Sequence, residues 1–339
     1  MVLDYDIVKS ITVGASDVIE TAAGIAFSRF TDKQRRLYCN RTEDAYLRSL
    51  SSSGIKLSFT TDSTILFMKI DVALASSRKY FSVDVYVNDT CVGYIDNFNT
   101  DTLPTFYTNE KFELGIFSKE FYLGEGEKQV TVYLPWSVSL LLKEVSLCDA
   151  SFVEPFKRNK KLLAFGDSIT QGYDALRPSG TYVSGLAGML GCDEYNKGIG
   201  GEVFFPELAT TKECFIPDYI TVAYGTNDWV HKSKQLLLSE CRCFFENIRQ
   251  NYPNSEVFAI TPIWRSDIDN TVNSMSFSQL TDSIVSCVDD LNISVIYGLE
   301  LLAPDKKLFA DGFVHPNDRG FEFYCNNLFD KIKEKRRKE

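Results

Sequence analysis

Several common features are missing from this sequence of 339 residues. Positive charge is not in excess, since 36 lysines and arginines stand against 46 aspartates and glutamates and the net charge is −10. A protein that binds nucleic acid or anionic lipid needs a basic surface. No apolar run approaches the ~20 residues that span a membrane, and the N-terminal "MVLDYDIVKSITVG" lacks the order of a signal peptide. We therefore expect a cytoplasmic protein with no nucleic-acid and no membrane partner.

Cysteine and histidine lack the spacings of a metal site. The nine cysteines are scattered without a Cys-x-x-Cys pair, and the two nearest ones, Cys241 and Cys243, are only two positions apart. An odd number of cysteines in a long chain is typical of a reduced cytosolic protein with buried thiols. The only two histidines are His231 and His315. The sequence therefore predicts no zinc site.

The first 155 residues show the period of β-strands. In "GIKLSFTT", Ile55, Leu57 and Phe59 alternate with polar residues, and in "YFSVDVYVNDTCVGYI" the alternation stops at Asn88-Asp89, as at a hairpin turn. Turns recur, and long helical patterns are scarce. The pattern predicts an all-β sandwich of jelly-roll type over residues 1–155.

From residue 156 onward, apolar strands alternate with segments of helix length. The predicted strands are "LLAF", "EYNKG", "YITVAYG", "EVFAITP" and "ISVIYG". Between the last two, apolar residues from Phe277 to Leu291 recur at helical spacing. This alternation predicts a parallel sheet with helices on both faces over residues 156–339. Ligands bind such sheets at the carboxyl ends of the strands.

Chemically active residues follow these strands at their carboxyl ends. The blocks are "GDSIT" with Ser168, "NKGIGGE" with Gly201, "GTNDW" with Asn227 and "ADGFVHPNDRG" with His315. Each block alone is more often a turn or a helix start, and "NKGIGG" has neither the glycine order of a dinucleotide site nor a P-loop lysine. At one sheet edge, however, they would supply a nucleophile, oxyanion donors and a general base, which is the inventory of acyl transfer.

Together "GDSIT", "NKGIGG", "GTND" and "DGFVHPND" resemble the four signature blocks of the SGNH (GDSL-type) hydrolases, over residues 160–330. The resemblance implies a flavodoxin-like three-layer α/β/α hydrolase domain with a parallel sheet, in this chain preceded by the all-β sandwich. It implies no cofactor and no metal. The first half is similar in architecture to the β-sandwich that precedes this domain in some bacterial carbohydrate esterases.

The resemblance also implies a role for each matching residue. Ser168 would be the nucleophile, and His315 the general base that takes its proton. The N–H groups of Ser168 and Gly201 and the side-chain amide of Asn227 would form the oxyanion hole. Gly201 is preferred over the earlier glycines because it ends the block in the Asn-x-x-x-x-Gly spacing from Asn196.

The acid that would orient His315 departs from the family pattern. The family places an aspartate three residues before the histidine, but Gly312 stands there and the nearest acid, Asp311, lies four residues before. A bulged loop would still bring Asp311 to the imidazole. Otherwise a backbone carbonyl would orient the ring, which gives a Ser–His dyad. We favour Asp311, and we expect Asp167 to support its own loop and not to transfer protons.

Four residues are candidates for contact with the substrate: Asp167, Trp229, Trp264 and Arg265. Trp264 and Arg265 follow the fourth strand in "TPIWR" and would form either a sugar-stacking platform with a polar clamp or a packed aromatic with a surface ion pair. Trp229 would line the same pocket. We interpret His231 as structural.

The sequence thus predicts a two-domain serine esterase. The resemblance implies that it removes short acyl groups, above all acetyl, from a hydroxyl of a carbohydrate, with a small-molecule or oligosaccharide acyl ester as the substrate. One alternative is a lipase, thioesterase or general esterase of the same fold, which would prefer longer acyl chains. The other is an inactive carbohydrate-binding protein, supported only by the irregular Asp-to-His spacing. The sugar, the acylated position and the oligomeric state are left open.

Overall fold

A computed structural model describes residues 1–99 and 112–337 of the chain. In chain order, the β-rich region (residues 1–155) contains α1 (Tyr5–Ile11), β1 (Thr12–Val13), β2 (Asp17–Thr21), β3 (Gly24–Ser28), α2 (Asp32–Arg41), α3 (Glu43–Ser49), β4 (Lys56–Thr61), β5 (Ile65–Leu74), β6 (Ser82–Val87), β7 (Thr90–Asp96), β8 (Gly115–Tyr122), β9 (Lys128–Tyr133), β10 (Val138–Cys148) and β11 (Val153–Pro155).

These strands form two antiparallel sheets. One sheet has the order β1-β4-β9-β6-β7, with β11 also paired to β4, and the other has the order β2-β3-β10-β5-β8. Alternate residues of both sheets are buried in one shared core, among them Leu57 of β4 and Met68 of β5. The β6–β7 turn is the predicted one, with left-handed φ values of 47° at Asn88 and 66° at Asp89. The period of two in "GIKLSFTT" therefore identifies Leu57 and Phe59 of β4 as residues that face the core.

The remaining elements alternate between strand and helix. They are β12 (Lys160–Gly166), α4 (Ser168–Gln171), α5 (Tyr182–Leu190), β13 (Cys192–Asn196), α6 (Pro206–Ala209), β14 (Tyr219–Ala223), α7 (Thr226–His231), α8 (Lys234–Asn251), β15 (Glu256–Ile260), β16 (Thr271–Val272), β17 (Met275–Ser276), α9 (Phe277–Ser286), β18 (Ser294–Ile296) and α10 (Asp318–Arg336).

Five of these strands form a parallel sheet in the order β13-β12-β14-β15-β18. This is the 2-1-3-4-5 order of flavodoxin-like folds, in which the strand order reverses beside the first strand. Along β12, Leu163 packs with α8 and α9 on one face, and Leu162 packs with α5 and α10 on the other. The predicted three-layer α/β/α architecture, preceded by a β-rich region, is confirmed.

The change from antiparallel to parallel pairing falls between the end of β11 at Pro155 and the start of β12 at Lys160. We propose a domain division there, with domains at residues 1–155 and 156–339. The two parts share buried polar contacts: Lys197, just after β13, makes a 2.8 Å ion pair with Glu213 and also binds the carbonyl of Arg29, which follows β3. The β-rich region is thus joined to the loop after β13.

None of the nine cysteines forms a disulfide, and four of them are buried. Within residues 1–99 and 112–337, no helix combines the length and the apolar character needed to cross a membrane.

Candidate active site

A tight turn carries Ser168 from the end of β12 into the short helix α4. The carboxylate of Asp167 caps this helix by accepting the N–H of Ile169 at 2.9 Å. Gly166 has no room for a side chain, because a Cβ there would lie 2.0 Å from Thr170 Oγ1. The turn therefore holds Ser168 at the carboxyl end of β12, next to the point where the strand order of the sheet reverses.

Ser168, His315 and Asp311 form a continuous chain of polar contacts. Ser168 Oγ lies 2.9 Å from His315 Nε2, and the Nδ1–H of the same ring donates to Asp311 Oδ2 at 2.7 Å. A nucleophile, a base within hydrogen-bond reach and a third group that orients the base are the arrangement of nucleophilic catalysis. The structure thus brings together three of the five residues predicted for the chemistry.

The loop before His315 accommodates the extra residue of this block. Gly312 adopts the left-handed region at φ 61°, and Asp311 Oδ1 accepts the N–H groups of Phe313, Val314 and His315 at 2.8, 2.9 and 3.1 Å. Burial alone would raise the pKa of Asp311. The hydrogen bond to His315, the positive charge of His315 and these N–H groups have the larger effect and lower that pKa to about 2. The geometry therefore favours Asp311 over a backbone carbonyl as the group that orients the ring.

Gly201 and Asn227 lie on the same cleft as Ser168, together with His315; the cleft has a volume of about 360 Å³. Gly201 has a φ of 79°, which favours glycine. Asn227 Nδ2 donates one of its two hydrogens to the carbonyl of Glu202 at 2.9 Å, and this bond fixes the orientation of the amide. The remaining N–H is available to a ligand in the cleft.

We expect Asn227→Ala to lower kcat about 10²- to 10³-fold with little change in thermal stability, because one oxyanion donor typically contributes that much. Asn247→Ala is the matched control, since Asn247 also donates its side-chain amide to a backbone carbonyl, that of Pro206, but does not line the cleft. Steady-state kinetics and melting curves of both variants are the measurement. Equal kcat values for the two variants would contradict a role for Asn227 in the reaction.

The loop that carries Gly201 is held by the β-rich region. Its arginines approach the loop from the segment after β3 and from α2 and α3. The contacts run from Arg29 to the carbonyls of Asn196 and Gly198 at 3.0 and 2.9 Å, from Arg41 to the carboxylate of Glu202, and from Arg48 to the carbonyl of Gly200 at 2.6 Å. Burial lowers the pKa of Arg29 to about 10, so this guanidinium remains charged at neutral pH.

The prediction that Trp229 lines the pocket is wrong. Its side chain is completely buried, its Nε1–H donates to the carbonyl of Met275 at 2.8 Å, and Phe277 packs edge-on against it. Trp229 is thus a packed residue of α7 and supports the helix that carries Asn227.

Of Trp264 and Arg265, only Arg265 lines the cleft. Trp264 packs against Phe309 with ring centroids 5.0 Å apart and does not line the cleft, so the sugar-stacking interpretation fails for this residue. Arg265 does line the cleft, but its guanidinium is nearly buried and is held by Thr226 and Asp267. Arg265 therefore forms a fixed wall of the cleft.

Asp167 is buried below the catalytic turn, as expected of a residue that supports its own loop. Burial raises the pKa of its carboxyl group to about 7. The hydrogen bond from the Ile169 N–H and the charge of His315 lower this pKa, but by less than burial raises it. The folded protein thus holds a proton on Asp167 at pH values where the unfolded chain has lost it.

We expect Asp167→Asn to unfold at higher denaturant concentration than wild type at pH 8. Below pH 4, Asp167 is protonated in both the folded and the unfolded wild type. The free energy of unfolding falls as pH rises from 4 to 7, because the unfolded chain then loses the proton while the folded protein has to keep it or bury a charge. Asparagine avoids this cost of about 2–4 kcal/mol. Urea unfolding at pH 8 and pH 4.5 should show a large difference from wild type at pH 8 and a small one at pH 4.5.

The matched control is Asp4→Asn, because Asp4 also caps a helix but is exposed. We expect its effect to be small at both pH values. An Asp167→Asn protein that is no more stable than wild type at pH 8 would show that the buried carboxyl is not costly.

Several cleft residues were missed by the sequence prediction. They are Arg48, Arg78, Tyr173 and His231, with Asp174 directly behind His315. His231 is exposed at the cleft and not part of the core. The only signal in the sequence was the position of "YD", which begins three residues after the end of "GDSIT". The arginines come from distant segments without a motif.

The carboxylates of Asp174 and Asp311 and the ring of His315 have ligand atoms within 4.8 Å of one another, close enough to share a cation. Their atoms are already occupied, however. Asp311 binds His315 and three N–H groups, and Asp174 binds Arg78 through both oxygens. The donor set therefore fits a hydrogen-bonded catalytic group better than it fits a metal site.

Comparison with known proteins finds a family match in the second half of the chain. Residues 164–323 match the sequence model of the GDSL-like Lipase/Acylhydrolase family. No curated protein matches the chain.

Solved structures match over most of the length. The salicylyl-acyltransferase SsfX3 from a tetracycline biosynthetic pathway has a TM-score of 0.81 at 18% identity, over 95% of this chain and 94% of that one. A family two carbohydrate esterase from Clostridium thermocellum, in complex with cellohexaose, has a TM-score of 0.66 at 13% identity, over 84% and 94%. The acetyl xylan esterase Est2A from Butyrivibrio proteoclasticus has a TM-score of 0.58 at 17% identity, over 84% and 91%.

These TM-scores establish a shared fold. The family match covers all four blocks found in the sequence. Residues 164–323 therefore form a domain that matches the GDSL-like Lipase/Acylhydrolase family model.

Proposed function

We propose that this protein is a serine esterase that removes short acyl groups, foremost acetyl, from a hydroxyl group of a carbohydrate. The observation that carries the proposal is the chain from Asp311 through His315 to Ser168, with contacts of 2.7 and 2.9 Å, which opens on a cleft also lined by Gly201 and Asn227.

In the first half-reaction, His315 Nε2 takes the proton of Ser168 as Oγ attacks the ester carbonyl carbon. The carbonyl oxygen becomes an oxyanion and accepts hydrogen bonds from the N–H groups of Ser168 and Gly201 and from the amide of Asn227. The C–O bond of the ester then breaks, and the imidazolium of His315 gives its proton to the leaving alcohol. An acyl group remains on Ser168.

In the second half-reaction, water loses a proton to His315 and attacks the acyl-enzyme. The oxyanion forms again at the same donors, and the carboxylic acid leaves as Ser168 Oγ regains its proton. In both halves Asp311 accepts Nδ1–H of His315, which keeps Nε2 free to act as a base and stabilises the imidazolium. No further group is required for this sequence of steps.

The proposals of acetyl as the acyl group and of a carbohydrate as the alcohol rest on the solved structures and on the cleft. Two structures of the same fold are named as a family two carbohydrate esterase bound to cellohexaose and as an acetyl xylan esterase. The cleft of about 360 Å³ is lined by polar side chains such as Ser77 and Arg48 as well as by Val230 and Phe313. A cleft of this size with both polar and apolar side chains has room for the hydroxyls of a sugar and for a short acyl group.

Acyl transfer to an alcohol other than water is a second candidate. The relative with the TM-score of 0.81 is named as a salicylyl-acyltransferase, and its fold covers 95% of this chain, including the β-rich region. The acyl-enzyme on Ser168 would be the same, and only the acceptor in the second half-reaction would differ. The two functions are therefore separated by the fate of the acyl group.

The test is a series of p-nitrophenyl esters from acetate to octanoate, followed by release of acetate from acetylated xylo- and cello-oligosaccharides. The same reactions are then repeated with rising concentrations of an unacetylated sugar, and the esterified sugar is measured by mass spectrometry. Labelling of Ser168 with a fluorophosphonate reports on the nucleophile without any assumption about the substrate.

Acetate as the best ester, with acetate released from the oligosaccharides, would support the proposal. A rate that rises with chain length would replace it with a lipase-like esterase, and transfer of the acyl group that outcompetes hydrolysis would favour the acyltransferase. A folded wild type that neither turns over any ester nor reacts with the fluorophosphonate would overturn an enzymatic function and leave the carbohydrate-binding alternative.

We also propose a cytoplasmic location. The support is the set of nine cysteines without a disulfide, since thiols remain reduced in the cytosol.

A further inference from the structure

His315 faces two carboxylates and not one. Its Nδ1 lies 2.7 Å from Asp311 Oδ2 and 3.6 Å from Asp174 Oδ2. The side chain of Asp174 is completely buried, and its backbone adopts the left-handed region at φ 70°. A buried charge at this distance from the ring acts on the imidazolium that forms in each half-reaction, because little solvent screens it.

The second carboxylate is held from the β-rich region. Arg78, in the connection between β5 and β6, donates from Nε to Asp174 Oδ1 at 2.7 Å and from Nη2 to Oδ2 at 3.0 Å. This is the bidentate geometry in which a guanidinium binds a carboxylate most strongly. Arg78 is fixed in turn by Ser76, whose hydroxyl accepts its N–H at 3.0 Å and donates to its carbonyl at 2.9 Å.

Aromatic contacts continue this connection to the base. The ring of Tyr173 stacks on His315 with centroids 5.6 Å apart and an interplanar angle of 27°, and the guanidinium of Arg78 lies 5.5 Å from the centre of the Tyr173 ring. Trp136, also from the β-rich region, packs against the other side of Tyr173 at 5.1 Å. The β-rich region thus reaches His315 through both a charged pair and a ring stack.

We propose that Arg78 and Asp174 are positioning residues that act on His315 as one ion pair across the two parts of the chain. Asp174 supplies a second negative charge at the Nδ1 edge of the ring and stabilises the imidazolium. Arg78 holds Asp174 in place and offsets part of its charge at the ring. This inference rests on the proposed Ser168–His315 reaction and gives the β-rich region a part in it.

Other charged groups around His315 are held by their own partners. Asp311 binds the ring itself, Asp167 is buried beneath α4, and Arg265 is bound by Asp267. Further groups lie on the cleft or near it: Arg48 on α3 with Asp44, His231 at the end of α7, and Asp318 at the start of α10, which binds the N–H of Leu176. The variants below change none of these groups.

The test compares the pH dependence of kcat/KM on p-nitrophenyl acetate for wild type, Asp174→Asn, Arg78→Gln and the double variant. Asparagine is isosteric with aspartate and tolerates the left-handed backbone. Asp174→Asn removes a negative charge and leaves Arg78, so the midpoint of the acid limb should move to lower pH by about one unit. Arg78→Gln leaves Asp174 uncompensated, and the midpoint should move to higher pH by a similar amount.

The double variant removes both charges, and its midpoint should return to within about 0.3 units of wild type. Arg78→Lys keeps the positive charge and should leave the midpoint unchanged, which also covers the case in which Arg78→Gln does not fold. A merely structural salt bridge would lower activity or melting temperature in the variants without moving the acid limb in opposite directions.

A readout that needs no turnover is available, because the chain has only two histidines. In the Ser168→Ala background, the imidazole Cε1–H resonance of His315 should titrate with the same opposite shifts in Asp174→Asn and Arg78→Gln, while that of His231 stays in place. Midpoints that coincide with wild type, or that move in the same direction, would overturn this inference. If these shifts occur but wild type turns over no ester, the proposed function fails and the coupling of Arg78–Asp174 to His315 stands.

Discussion

Ser168→Ala should lower kcat on p-nitrophenyl acetate by about 10⁵-fold, while the melting temperature changes by no more than a few degrees. Loss of the nucleophile removes the acyl-enzyme entirely, and in serine hydrolases the nucleophile and the base act as one unit. The residual rate would come from the proposed oxyanion donors, because the N–H of residue 168 and the amide of Asn227 remain in place. Steady-state kinetics, together with the absence of fluorophosphonate labelling, measure the effect.

The matched control is Ser286→Ala, on the exposed end of α9, where the hydroxyl donates to the backbone carbonyl of Ser283. We expect it to retain wild-type kinetics and labelling. A Ser168→Ala protein that keeps more than about a hundredth of the wild-type kcat would mean that another group attacks the ester.

Asp311→Asn should lower kcat about 10⁴-fold at neutral pH, more than simple loss of a charge would suggest. Three backbone N–H groups bind Oδ1 of residue 311, so the side-chain oxygen of an asparagine has to stay on that side. Its NH₂ group then faces His315 Nδ1, which can accept that hydrogen only if the ring proton moves to Nε2. A ring protonated at Nε2 cannot take the proton of Ser168, which is the reason that this exchange is costly in other triads.

The control for this variant is Asp305→Asn. Asp305 is exposed and its carboxylate accepts the N–H of Lys307 two residues later, so asparagine preserves the local turn. Kinetics at pH 7 and an NMR assignment of the protonated ring nitrogen of His315 show whether Asp311 or a backbone carbonyl orients the ring. Normal activity in Asp311→Asn would show that the backbone, and not Asp311, orients the ring, as in the dyad that the sequence left open.

Most of the fold could be predicted from local patterns. Strands of both regions bury alternate or all residues, and this period is visible in stretches such as "KLSFTT" for β4 and "KLLAFG" for β12. Element ends were less accurate: α9 ends at Ser286, although apolar residues at helical spacing continue to Leu291. The sequence pattern shows which residues are apolar and therefore buried. The residue at which a helix ends depends on hydrogen bonds and packing with segments outside the helix.

The aromatic and cationic residues near the site were the least predictable. Trp229, Trp264 and Arg265 all follow strand ends, where the sequence predicts a pocket. The orientation of a side chain on α7 or in a loop depends on its packing partners, however. Trp229 packs against Phe277 and donates a hydrogen bond to the carbonyl of Met275, and Trp264 packs against Phe309.

The sequence by itself determined the chemical inventory. The four blocks place Ser168, Gly201 and Asn227 after the first three strands of the parallel sheet and His315 after the fifth. Parallel strands bring their carboxyl ends to one edge by connectivity alone. Only the tertiary structure decided how the base is oriented. The turn at Gly312 that folds three N–H groups onto Asp311, and the approach of Arg78 to Asp174 across 96 positions of sequence, depend on contacts between segments that no local pattern relates.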